Sequence, residues 1–150
     1  LEALETALLM AQTQGVGAVC SFVGYVRDGA AGGANESKDQ TKSPTVDSII
    51  LEHYPGMTEK SLARMIRLAL ERWTLQGVTV IHRVGQLRAS ERIVLVVVAS
   101  THRGEAFGAC EFLMDYLKTQ APFWKKEVGP GGESWVEAKS SDKERADRWQ

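Results

Sequence analysis

At 150 residues the chain is long enough for one domain with a sizeable buried core. Apolar residues make up 43% and charged residues 25%, the balance of an ordinary soluble globular protein. The 18 basic and 19 acidic side chains leave a net charge of −1, which argues against a broad phosphate-binding surface, and no apolar run approaches the ~18 residues of a membrane span.

In "LEALETALLMAQTQG", Leu1, Leu4 and Leu8 fall at helical spacing and Gly15 offers a stop. Because the sequence opens at Leu1 and not at methionine, the lack of a signal peptide decides nothing. "VGAVCSFVGYV" (16–26) reads as a buried strand. Residues 27–44 are rich in Gly, Ala, Ser and charge without periodicity, which predicts a long mobile loop. "TVDSIILEHY" (45–54) resumes a strand, and "PGMT" turns it into a helix with Thr58 as N-cap. Leu62, Met65, Ile66, Ala69, Leu70 and Trp73 then form one apolar helical stripe.

"VTVIHRVG" (78–85) and "RIVLVVVAS" (92–100) are β-branched runs around a turn at "RASE". A second helix is predicted over about 104–119, with Ala106, Cys110, Leu113 and Leu117 on one face and Pro122 beyond its end. "GPGG" (129–132) reads as a turn, "SWVEA" as a last short strand, and 140–150 as a polar tail. Two adjacent strands at 78–100 within an otherwise interleaved order argue for α+β and not for a doubly wound sheet.

Chemistry-bearing residues gather in few places. Cys20 and Cys110 lie in apolar stretches with no CxxC partner and read as buried free thiols of a reducing, cytoplasmic compartment. His53, His82 and His102 show no ligand spacing, so no metal or other cofactor is assigned. His102 and Arg103 open the second helix, where unpaired N–H groups favour an anion; a merely exposed pair is the plain alternative. Arg27 ends the first strand at a loop mouth, which alone is a weak signal.

In "DYLKTQAPFWKKE" (115–127), Lys118, Lys125 and Lys126 surround Phe123 and Trp124. Lys118 by itself could be a cation at a helix C-terminus. Three neighbouring amines against aromatic rings would instead push the pKa of one of them down, as proton transfer or covalent chemistry requires. A flat ring could also stack on Trp124, although packing is the commoner use of a tryptophan.

Taken together, "SFVGYVRD", "LEHYPGMTEKSL", "VTVIHRVGQL", "ASTHRGEAF" and "MDYLKTQAPFWKKE" followed by "WVEAK" resemble the large, catalytic subunits of molybdopterin synthase, over residues 1 to about 142. The resemblance implies a single α+β domain of the α/β-hammerhead type, with a mixed or antiparallel sheet and two main helices. It implies a homodimer carrying one small ubiquitin-like sulfur-carrier subunit on each copy, without nucleic acid or membrane. The small subunit's C-terminal thiocarboxylate would supply two sulfurs to cyclic pyranopterin monophosphate, making the dithiolene of molybdopterin. By matching positions, Lys118 and Lys125 are the catalytic lysines. Tyr25, Val26, Arg27, His102, Arg103, Lys126 and Glu127 are substrate contacts, with Trp124 and Lys139 as further candidates. Two departures stand out: the connection at 29–45 is longer and richer in Gly and Ala than usual, and Lys139 replaces a common arginine, losing bidentate anion binding.

Two other readings compete. The basic-aromatic segment could hold single-stranded nucleic acid by stacking and charge, which the net charge of −1 and the absence of a wider basic stripe disfavour. A catalytically silent scaffold for the small subunit is disfavoured by the presence of both lysines.

Overall fold

A computed structural model describes residues 15–27, 48–136 and 140–150. The helix expected before Gly15, the body of the long loop and Lys139 lie outside these residues. The described strands form two antiparallel sheets. One has the order β1 (Ala18–Tyr25), β5 (Arg92–Ser100), β3 (Leu75–His82). The other has the order β4 (Gly85–Arg88), β2 (Ser48–His53), β6 (Phe123–Gly129), β7 (Gly132–Val136). Three helices complete the α+β architecture: α1 (Met57–Arg72), α2 (Arg103–Thr119) and the short α3 (Ser140–Asp147).

The main core lies between the first sheet and helices α1 and α2. β5 is the central strand and is buried from Val94 to Ser100, which is why its sequence is continuously apolar and not alternating. Val94, Val96 and Val98 meet Met65 and Ala69 of α1 and Ala109, Cys110, Leu113 and Leu117 of α2. Each fully buried side chain of the size of Leu113 contributes roughly 1.5–3 kcal/mol of apolar burial. Ile49, Leu51, Leu87 and Val26 make a second, smaller core on the other sheet.

The expected helical faces are borne out, with Leu70 as an exception: it is 49% exposed. β1 is half exposed, with Phe22 at 40% and Tyr25 at 52%. The reason is its edge position: among the described strands β1 pairs only with β5, so its apolar run is not buried on both faces. The cap of α1 also differs from expectation. Gly56 takes the N-cap with φ 82°, a left-handed conformation that suits glycine, and its N–H donates to the Glu59 carboxylate at 2.6 Å. Thr58 is instead buried, accepting from the Tyr54 N–H and donating to the Pro122 carbonyl.

Two segments read only loosely in sequence are ordered elements. "FWKKEVG" is strand β6, joined to β7 by the expected "GPGG" turn with Gly132 at φ 104°. The supposed polar tail contains helix α3, and Trp149 beyond it packs edge-on against Trp73 and Phe112. Cys20 and Cys110 are both free, and they face each other between β1 and α2. Burial, followed by the neighbouring Cys20, pushes the Cys110 thiol up to about 12, which keeps it unreactive.

Candidate active site

Helix α2 presents basic residues at both ends. At its start His102 is the N-cap, in extended conformation, and Arg103 is the first helical residue; both are exposed. The loop before them is fixed by Ser100, whose buried Oγ lies 2.8 Å from Glu105 Oε2 and 3.4 Å from the His102 N–H that it accepts. At the other end Lys118 is exposed in the last turn. The fifteen helical steps from Arg103 to Lys118 rise about 22 Å, so one chain does not bring them to one small ligand.

The connection from α2 to β6 is short and pinned. Gln120 N–H returns to the Tyr116 carbonyl at 2.8 Å, Ser61 Oγ donates to the Gln120 carbonyl, and Thr58 Oγ1 donates to the Pro122 carbonyl. The first turn of α1 therefore holds the segment that joins Lys118 to Lys125.

Along β6, successive side chains alternate between faces. Phe123, Lys125 and Glu127 lie on the face of their cross-strand partners His53, Leu51 and Ile49. Lys125 Nζ is 2.9 Å from Glu127 Oε1, and the Glu127 side chain is only 15% exposed. Trp124 and Lys126 point the other way, with Glu52 and Ile50 opposite them. Lys126 Nζ is 2.8 Å from Glu133 Oε2 and lies over the Trp135 ring at 4.7 Å.

This geometry corrects the expected lysine cluster. Lys125 and Lys126 do not crowd each other, and each has its own carboxylate. The hydrogen bond that Lys126 donates to Glu133, helped by the charges of Glu133 and Glu52, holds the Lys126 amine above its ordinary value, so Lys126 is not the depressed amine. Neither aromatic ring stands free beside Lys125. Trp124 is on the opposite face, and Phe123 is stacked on His82 with ring centres 3.9 Å apart.

The remaining candidates separate in the same way. Val26 is buried against Ile49, Leu51 and Leu87, on the Lys125 face of the sheet. Its N–H donates to the Glu91 carbonyl, and its own carbonyl accepts from Ser90. Val26 is thus an anchor, with Tyr25 and Arg27 exposed on either side. Sequence reasoning missed Glu133, although the alternation of "FWKKEVG" could have separated the two lysines. It also missed Asp115, Arg148 and Trp149, which no periodic signal links.

The MoaE protein family matches residues 2–120. The chain belongs to that family. It is 52% identical to the molybdopterin synthase catalytic subunit of Ralstonia nicotianae, over 97% of this chain and 76% of that one. Among solved structures, the molybdopterin biosynthesis MoaE protein of Burkholderia ambifaria superposes with a TM-score of 0.75 at 44% identity, covering 99% of this chain and 90% of that one. The complex of subunits 1 and 2 of molybdopterin-converting factor from Helicobacter pylori shares the fold, with a TM-score of 0.68 at 19% identity, over 93% of this chain and 84% of the matched one. The MoaE fold thus supplies the frame on which the motif lysines and the α2 N-terminus sit. Among the described residues no helix is long and apolar enough to cross a membrane.

Proposed function

We propose that this chain is the catalytic subunit of a molybdopterin synthase that converts cyclic pyranopterin monophosphate to molybdopterin in the cytoplasm. A small ubiquitin-like subunit, docked on each copy of a homodimer, brings the sulfur on its thiocarboxylated C-terminal tail. The observation that carries this reading is the pinned α2–β6 connection, which bears the two motif lysines, Lys118 and Lys125, at its ends.

The chemistry asks for cations where negative charge develops. The thiocarboxylate sulfur attacks a substrate carbon and displaces an oxygen substituent, so a C–S bond forms as a C–O bond breaks and the departing oxygen takes up a proton. Water then cleaves the bond between that sulfur and the tail's acyl carbon, leaving sulfur on the pterin and releasing the tail as a carboxylate. The second sulfur arrives in the same way from a fresh tail. In this reading Lys125, paired with Glu127, stabilises the oxyanion formed as water adds to the acyl carbon, and Lys118 moves protons to and from the reacting oxygen. His102 and Arg103, at the positive end of the α2 dipole, suit the substrate phosphate. Tyr25 and Arg27, exposed at the end of β1, are the further substrate contacts that the family motif suggests.

The test is reconstitution. The protein is mixed with thiocarboxylated small subunit and the cyclic pyranopterin, and product is assayed. Molybdopterin should form, and a small subunit lacking its last two glycines should give none even where it still docks. No product from the complete mixture, or undiminished transfer from the truncated partner, would sink the reading.

A further inference from the structure

Asp115 is 6% exposed, and its carboxylate Oδ2 receives two hydrogen bonds from the far end of the described chain. Arg148 Nη2 donates at 2.8 Å and the Trp149 indole N–H at 2.8 Å. The same guanidinium reaches Glu111 at 2.6 Å, one turn earlier, so a single arginine spans two turns of α2. The Trp149 ring stands edge-on to Phe112 and Trp73, and its carbonyl accepts from Arg72 at the end of α1. A segment that merely covered apolar surface would not need a buried carboxylate, which is costly unless paired and hydrogen-bonded.

This cross-link is fastened to the part of α2 that most needs it. A helix C-terminus lacks partners for its last carbonyls and frays first. Lys118 is the penultimate residue of α2, three residues beyond Asp115 and therefore its neighbour on the helix surface. Thr119 Oγ1 also donates to the Asp115 carbonyl at 2.8 Å, so Asp115 is tied on both its backbone and its side chain.

We propose that Arg148 and Trp149 are positioning residues for Lys118: by clamping Asp115 they keep the last turn of α2 wound and hold the Lys118 amine in its working position. The proposal rests on the reading of Lys118 as catalytic. The latch itself touches no substrate; it acts through the helix end.

The experiment compares Arg148→Ala, Arg148→Lys and Trp149→Phe with Lys118→Ala, each as the full chain assembled with thiocarboxylated small subunit. Arg148→Ala should lower kcat by about tenfold or more with the pterin KM within about twofold, because misplacement of a reacting group is felt in turnover. Hydrogen exchange should quicken at Tyr116 to Gln120 while the amides of β5 keep their protection. Trp149→Phe, which keeps the ring and loses the N–H, should show a smaller loss, and Arg148→Lys should recover part of kcat. Wild-type kcat in both Arg148→Ala and Trp149→Phe overturns the latch alone, provided Lys118→Ala is inactive. Exchange that quickens equally in β5 would reduce the latch to general stability and overturn it as a positioning device. Full turnover by Lys118→Ala would remove the catalytic reading of Lys118, and the proposal with it.

Discussion

Lys125 and Lys126 are consecutive in the chain, yet their amines end on opposite faces of β6, one on Glu127 and the other on Glu133. The alternation of a strand forces this division, and it separates their expected roles. Lys125→Ala should cut turnover severely. Lys126→Ala removes an exposed pair with Glu133, of a kind worth little to stability, and should leave turnover within about threefold of wild type. Steady-state kinetics of the two variants check this. Equal losses would mean that both faces of β6 meet the substrate.

Lys118 lies in the last turn of α2 with its side chain exposed. Lys118→Ala should abolish most product formation while changing the free energy of unfolding by no more than about 0.5 kcal/mol, as for other surface substitutions. Denaturant titration alongside the assay separates chemistry from folding. A protein with near wild-type turnover would remove Lys118 from the site.

Arg103 and Lys118 bracket one helix, about 22 Å apart at a rise of 1.5 Å per residue. If both serve one small substrate, the site is composite: Lys118 and Lys125 from one protomer, His102 and Arg103 from its two-fold mate. Mixing inactive Lys118→Ala with inactive Arg103→Ala protein under subunit exchange should then restore activity, because a mixed dimer holds one site with neither lesion. No recovery despite verified exchange would assign each site to a single chain.

Gly17 precedes β1, and a Cβ there would collide with the carbonyl oxygen of Thr101. Gly17 N–H also donates to the Ser100 carbonyl, so the two backbones cannot part without losing that bond. Gly17→Ala should destabilise the fold by about 1–3 kcal/mol and raise the pterin KM, since Thr101 leads directly into His102 and Arg103. Thermal unfolding and substrate titration measure the two effects. An unchanged melting temperature would show that the Thr101 loop yields freely.

His82 is half-buried, stacked on Phe123, with Nδ1 2.8 Å from the Arg83 carbonyl, which makes Nδ1 the protonated nitrogen of the neutral ring. Burial lowers its pKa below 6.5, partly opposed by that hydrogen bond. Above pH 6.5 the ring is neutral whether the chain is folded or unfolded. Below it, the unfolded chain takes up a proton that the folded chain resists, so stability falls as pH drops from 6.5 through the folded-state pKa and then levels off. Urea midpoints for wild type and His82→Gln, measured between about pH 7.5 and 5, should diverge in slope, the variant being the flatter. Parallel slopes would mean that His82 titrates alike in both states.

The stripe of α1, the long run of β5 and the inner face of α2 were legible because each buries one face at a fixed period. The lysine motif was legible as a recognisable string of residues. Its internal arrangement was not, because "FWKKEVG" beyond Pro122 was assigned to no element and its strand alternation went unused. The cap of α1 shifted to Gly56 because Thr58 has a stronger use, accepting from Tyr54 and reaching Pro122, 64 residues further along the chain.

The sequence by itself determined the family, the α+β class, the main helices and the identity of the basic residues, since periodicity, composition and motif are local properties of the chain. Only the tertiary structure decided which carboxylate each β6 lysine holds, that Val26 is an anchor, and that Arg148 and Trp149 close on Asp115. Those relations join residues that are distant in sequence or set on opposite faces of a strand. They exist only once sheets and helices have packed, and no spacing along the chain encodes them.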